Sequence, residues 1–382
     1  MKTRLIILAI SISISGSIPA TFACTTGLAG PNATKSNHVL LWKNRDSGFE
    51  QNAIVFFNDN SMHYLGLINA GDTSQVWAGV NNFGFAIMNA ESRDLARPDE
   101  NTGYDDEGIW MKAALRHCRT IDDFEEMLRR SNSSGRKVTS NFGVIDALGS
   151  AAFFETGNHE YFRFDADPPG YLVRANFAHN ARSSEGYGRI RYNQAKSLIA
   201  DAIQKGQLDH RYLITTVSRD MTLPDSLLDP HQPRLRETRN TINRHRTVSA
   251  AIFDGTADNS PEMTTFWCTL GEPAAAIAVP LWVRAERIPD ALSGMDSALL
   301  NSVFRDIKNT IYVDETRIDM GKYQSLRRIL DRAQNRIFRV TARQLRRWEK
   351  IQPKPAEVAE FQDRMISIAL KSARKALSKL GD

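Results

Sequence analysis

Cys24 is the residue of this 382-residue sequence best placed to do chemistry, because of what precedes it. Lys2 and Arg4 make a short basic start, Leu5 to Ile18 an apolar run, and Pro19 to Ala23 a break ending in small residues. That is the pattern of a secretory leader, predicted to be cut after Ala23. The cut leaves 359 residues with a net charge of +3, beginning at Cys24. A cysteine there carries a thiol nucleophile and an α-amine on one residue. The amine's ordinary pKa of about 7.7–8.0 suits it to take the thiol's proton near neutrality. Lipidation of the thiol is a competing fate that would leave a membrane-anchored binding module. Thr21 and Phe22 stand where a lipidation signal wants Leu and a small residue, so that reading fits poorly. The plainest reading leaves Cys24 as a cysteine that happens to lie beside a cleavage site.

Five more residues could complete an amide-cleaving centre. Asp46, at the end of the run from Leu41, could orient the amine. Asn89 and Asn176, each closing a β-type run, could donate to an oxyanion. Arg189 and Arg191, at a helix start, could act on the thiol electrostatically, and the sequence leaves the choice between them open. Each also has a structural reading: Arg45-Asp46 as a surface turn, and an Asn ending a strand as a turn residue. His179 suggests a Cys/His pair, but that arrangement needs its cysteine at a helix start, and Cys24 opens a β-rich stretch. Cys118 and Cys268 read as small core hydrophobes. Asp105-Asp106-Glu107 reads as charge stabilising the positive end of a following helix.

The elements that must hold these residues follow from period and punctuation. Strands are expected at Val39–Trp42, Ala53–Phe57 and His63–Ile68, with a hairpin from Gln75–Val80 to Phe85–Met88 around Asn81-Asn82-Phe83-Gly84. Helices follow near 108–118 and 121–131, the second opened by Thr120. Strands return at Phe142–Asp146, Ala151–Glu155, Tyr161–Phe164 and Tyr171–Ala175. Helical patterns cover about 189–205 and 208–219, and β-runs Val248–Phe253, Met263–Thr269 and Ala276–Val283. From 289 the chain is helical and basic, with Leu326–Lys350 and Val358–Leu380 separated by Pro353 and Pro355. The division expected is a leader (1–23), a main domain (24–288) and a helical extension packed on it (289–382).

Taken in order after Cys24, the sequence resembles the N-terminal-nucleophile hydrolases of choloylglycine hydrolase and acyl-CoA:6-aminopenicillanic acid acyltransferase type, which act on linear amide C–N bonds. Cys24-Thr25-Thr26 looks like that family's nucleophile start, and Asn44-Arg45-Asp46 resembles its Asn-x-Asp element. Val80 through Asn89 resembles its Gly-x-Asn-x-x-Gly hairpin, and Asn141–Asp146 with Phe154-Glu155 its core hairpin. Arg174-Ala175-Asn176 is similar to its Thr-Asn segment, with Ala where Thr is common. Phe266–Gly271 and Ala278–Val283 resemble its late strand pair. The resemblance implies an α+β fold, an αββα sandwich of two mainly antiparallel sheets between helices with a C-terminal helical extension. It implies catalytic roles for Cys24, Asp46, Asn89, Asn176 and Arg191 or Arg189, with Ile190-Arg191-Tyr192 the better match.

Composition narrows the class further. With 42% hydrophobic and 24% charged residues the chain is globular, and it is long enough to bury a core without disulfides. Three cysteines build no disulfide framework or zinc spacing, and no phosphate loop is present, so neither metal nor cofactor is expected. A net charge of +5 without interleaved aromatics argues against nucleic acid, and no later run is long enough to span a bilayer. The expected protein is an exported amidohydrolase, periplasmic or secreted, acting on a small-molecule amide through a thioester. Transfer of the acyl group to another amine is the alternative, and a homo-oligomer is compatible with it.

Overall fold

The structure, a computed structural model, describes residues 23–96, 106–167, 170–229, 231–256 and 260–381. The predicted leader therefore lies outside the described residues, except for Ala23. The strands are β1 (Cys24–Ala29), β2 (Leu40–Asp46), β3 (Asn52–Asp59), β4 (Met62–Asn69), β5 (Ala78–Asn81), β6 (Ala86–Glu91), β7 (Ser140–Ile145), β8 (Ala151–Thr156), β9 (Tyr161–Asp165), β10 (Tyr171–Arg174), β11 (Leu235–Glu237), β12 (Thr247–Asp254), β13 (Thr265–Leu270), β14 (Val279–Leu281) and β15 (Arg317–Asp319). The helices are α1 (Glu107–His117), α2 (Ile121–Ser131), α3 (Arg189–Gln204), the single turn α4 (His210–Tyr212), α5 (Leu299–Ile311), α6 (Met320–Trp348) and α7 (Pro355–Gly381).

Two antiparallel sheets face each other, and helices cover them. One has six strands in the order β10-β1-β2-β12-β13-β14, and the other runs β3 to β9 as a seven-stranded meander. β1 and β2 pack on β6 and β7 across the interface, α1 lies on β4 to β6, and α3 lies on β1 and β10. The fold is α+β, a helix–sheet–sheet–helix sandwich with α5 to α7 following in chain order.

Every residue of β2 is buried, so the strand shows no apolar/polar alternation, yet its two faces differ. Trp42 and Asn44 point to the helix layer, where the indole N–H donates to Ser218 Oγ at 2.8 Å and Asn44 Nδ2 to the carbonyls of Ser218 and Ile242. Lys43 and Arg45 point across to the second sheet, to Asn89 and to Asn52 and Asn69. Successive side chains alternate faces, so this parity fixes the whole site. Cys24 pairs with Arg45 and Thr25 with Asn44, so the thiol lies on the inter-sheet face and Thr25 on the helix side. Asp46, two residues beyond Asn44, falls on the helix side.

Expectation and structure part at a few places. The 208–219 pattern is not one α-helix: α4 passes into a π-turn at Leu213–Val217. The last β-run shrinks to β14, because residues 274–278 run irregularly along α6. Their backbone is satisfied by side chains: Gln334 accepts from Ala278 N at 2.8 Å and donates to Ala278 O at 3.1 Å, while Arg327 donates to Ala276 O at 2.9 Å. Gln362 of α7 accepts likewise from Trp282 N at 2.8 Å.

Candidate active site

Cys24 opens β1 at the end of the six-stranded sheet, almost wholly buried. In the full chain its nitrogen is the peptide nitrogen of the Ala23–Cys24 bond, and it donates to Asn176 Oδ1 at 2.8 Å. The Arg191 guanidinium completes a closed arrangement around it. Nη1 donates to Cys24 O and Thr25 Oγ1, both at 2.7 Å, and Nη2 to Asn176 Oδ1 at 3.0 Å. Both backbone ends of Cys24 are therefore gripped by one Asn–Arg pair. Asn176 is placed by a bridge to Tyr187 and by donation from its Nδ2 to Glu91 O at 3.0 Å.

Arg191 reaches this position because of Gly188. The cap residue of α3 has φ of 91°, and a Cβ there would come within 2.5 Å of Arg191 Nη2. Glycine is thus required twice, for the left-handed backbone and for the space. Arg189, two residues earlier and on another side of the helix, lies with its guanidinium 4.3 Å from the Phe177 ring. The structure brings Arg191 to Cys24 and leaves Arg189 outside.

Asp46 is buried beside the same group. Its Oδ1 accepts from Thr247 Oγ1 at 2.6 Å, and Arg244 Nε stands 3.1 Å from Oδ2. That second contact is an ion pair off the hydrogen-bonding line, so Oδ2 accepts no hydrogen bond among the described residues. Burial pushes the Asp46 carboxyl up, and the charges of Arg244 and then Arg191 oppose it. The amine-orienting place expected for Asp46 is held in the uncut chain by Asn176 Oδ1.

Asn89 lies inside β6 rather than at its end, and its amide is fully committed. Oδ1 accepts from Lys43 Nζ at 2.5 Å, and Nδ2 donates to Glu107 Oε2 at 2.5 Å and Ser140 Oγ at 3.3 Å. In the uncut chain both amides donate to internal acceptors, Asn89 Nδ2 to Glu107 and Ser140 and Asn176 Nδ2 to Glu91 O. Glu107, expected only to charge a helix start, is instead buried in this inter-sheet network.

The sequence reading missed Thr25, Lys43, Tyr187, Arg244 and Thr247. Lys43 and Arg45 share the thiol's face, so a thiolate formed at Cys24 meets buried cations. Tyr187 is close enough to Cys24 and Glu91 for their charges, after burial, to push its hydroxyl up. The signal that could have exposed part of this was Tyr187-Gly188 immediately before a basic helix start. His179 does not pair with Cys24: its ring packs among Phe164, Phe177 and Tyr192, and burial pushes it down. Cys118 and Cys268 are core thiols pushed up by burial, Cys118 to about 12. Among the described residues no group of three or more His, Cys, Asp or Glu could hold a metal, and no helix is long and apolar enough to cross a membrane.

No model of a known protein family matches the chain, and no curated protein matches it. Solved structures do. The chain is similar to the Caenorhabditis elegans ortholog of N-acylethanolamine-hydrolyzing acid amidase, at 13% identity and TM-score 0.42, over 62% of this chain and 93% of that one. It is similar to a variant of the conjugated bile acid hydrolase of Clostridium perfringens, at 12% identity and TM-score 0.43, over 68% and 92%. Penicillin V acylase from Agrobacterium tumefaciens matches at 13% identity and TM-score 0.40, over 68% and 85%.

Proposed function

We propose that the protein is an exported amidohydrolase in which removal of residues 1–23 makes Cys24 the N-terminal residue and catalytic nucleophile. The observation that carries the reading is the grip on Cys24. Asn176 Oδ1 accepts from its nitrogen while Arg191 binds its carbonyl and the same Oδ1. A cysteine needed only for packing has no use for a buried arginine and an asparagine on its two backbone ends.

Cleavage after Ala23 converts the held peptide nitrogen into an α-amine, still facing Asn176 and within the field of Asp46. Asp46 Oδ2, paired with Arg244 but accepting no hydrogen bond, is the candidate acceptor for an added ammonium proton. In the reaction the amine takes the thiol proton and Sγ attacks the carbonyl carbon of a linear amide. The tetrahedral adduct expels the amine, which leaves with that proton, and a thioester remains on Sγ. The α-amine then deprotonates water, which adds to the thioester, and the acid departs with the thiol restored.

The test begins with intact mass and N-terminal sequence of the exported protein, expected to start at an unmodified Cys24. The same preparation is screened against N-acyl amides that release a detectable amine. Cys24→Ser should lose most turnover and Cys24→Ala all of it, with a thioester adduct visible by mass only in the parent. Undiminished turnover by Cys24→Ala would end this reading.

A further inference from the structure

Charge in this protein is divided sharply between its two parts. Residues 320–382 hold sixteen Lys and Arg against six Asp and Glu, a net of +10, whereas the 319 residues before them sum to −5. Much of that excess lies on one line. Arg328, Arg332, Arg336, Arg339, Arg343 and Arg346 are all exposed on α6. At about 100° per residue their spacing puts them within roughly 80° of the helix circumference. Arg347 and Lys350 continue the line, for about 33 Å in all.

Several other surface arginines are paired with carboxylates. Arg129 and Arg130 share Glu126, Arg163 meets Asp122, Glu125 and Asp165, and Arg317 meets Asp314. On α6 the nearby carboxylate Asp331 is taken by Arg219 and Arg327, which belong to the buried side. Among the described residues no carboxylate forms an ion pair with any member of the stripe. Like charges at i,i+4 repel, so the stripe weakens its own helix unless something outside neutralises it. It is also almost all arginine, whose planar fork pairs with phosphate oxygens two at a time.

We propose that the α6 stripe is a docking surface for an anionic phospholipid bilayer. The opposite face of α6 is fixed to the protein through Leu330, Ile337, Phe338 and the Gln334 grip on Ala278. The guanidinia therefore project to one side of a rigid rod, an arrangement that a flat array of phosphates meets all at once. A nucleic-acid groove needs a helix that can enter it, and a single strand needs stacked aromatics. The held rod supplies neither. At the end of α6, Ile351 is 76% exposed beside Arg347 and Lys350, an apolar tip with a cationic rim suited to the headgroup boundary.

The full chain is tested by co-sedimentation with vesicles of phosphatidylcholine alone and of phosphatidylcholine with 30% phosphatidylglycerol, at low and high salt. It should bind only the anionic vesicles and release at high salt. Replacing Arg332, Arg336, Arg339 and Arg343 together by Gln should lower partitioning at least about a hundredfold with the helix intact by circular dichroism. Ile351→Ser should lower it less and leave the salt dependence unchanged. Failure of the parent to bind anionic vesicles at low salt overturns the proposal, as does equal binding by the four-Gln variant. Tighter salt-sensitive binding to a 30-base-pair duplex than to vesicles also overturns it, in favour of nucleic acid.

Discussion

Asp46 and Asp254 lie at opposite ends of the β2–β12 pair, the first buried and the second partly buried, and their carboxyls are pushed in opposite directions. At Asp254 each oxygen has its own ring nitrogen, His38 Nδ1 at 3.1 Å and His210 Nδ1 at 2.6 Å, and these contacts hold it at about 2 despite burial. At Asp46 a hydroxyl serves Oδ1 and nothing hydrogen-bonds to Oδ2. Glu272 makes a third case, with Tyr312 and Asn243 both on Oε1 and Oε2 bare, and burial lifts it to about 7. Burial alone therefore does not set the sign. At Asp254 the hydrogen bonds to the two histidines outweigh the desolvation of the anion, whereas at Asp46 and Glu272 the desolvation wins. Asp254 is a finished structural contact, whereas Asp46 retains capacity for one more donor.

The largest effect expected from this contrast is at Asp46. Asp46→Asn should cut turnover about 10²–10³-fold while shifting the melting temperature little, as measured by steady-state kinetics beside a thermal melt. Asp254→Asn should do the reverse, leaving turnover nearly unchanged and costing about 2 kcal/mol of stability at pH 7. The folded carboxyl of Asp254 titrates below its unfolded value. The parent's advantage is thus complete above about pH 4 and disappears as pH falls through about 2, which denaturant melts over pH 2–7 would follow. A loss of turnover in Asp254→Asn equal to that of Asp46→Asn would erase the distinction.

Glu272 sharpens it from the other side. Its folded pKa lies above the unfolded 4.5, so its contribution is full below about pH 4.5 and is lost as pH rises through about 7. Glu272→Gln should therefore stabilise the protein by about 1 kcal/mol at pH 8 and not at pH 4.5, the gain limited because the new amide N–H₂ meets no acceptor. The smallest effect is expected at Arg189: Arg189→Ala should change kcat/KM less than about twofold, while Arg191→Lys, losing the fork between Cys24 and Asn176, lowers it well over tenfold. Equal losses in the two would remove Arg191 from its assigned place.

The layered architecture was legible because strand runs and turn residues alternate along the chain, and the cysteine was legible because it follows a leader pattern. What the sequence withheld was side-chain direction. All seven residues of β2 are buried, so no alternation signals that Lys43 and Arg45 look one way and Asn44 and Asp46 the other. The surroundings of Asn89 were hidden for a similar reason: a strand-end amide looks free in sequence, whereas Lys43, Glu107 and Ser140 close on it from separate elements. The choice between Arg189 and Arg191 rested on a glycine whose space only the fold reveals. The π-turn at Leu213–Val217 keeps a helical pattern in sequence, and its extra residue per turn leaves no trace there.

Ala23 has no exposed surface, and the bond joining it to Cys24 is held inside the sandwich by Asn176 and Arg191. A peptidase acting from outside needs an accessible, extended segment, so it can cut that bond only while the chain is still unfolded. On the proposed reading, activation by such an enzyme is a race between cutting and folding, settled once for each molecule. A chain that folds first stays capped for as long as its native half-life, and slower folding or a longer unfolded passage raises the fraction that emerges with a working terminus.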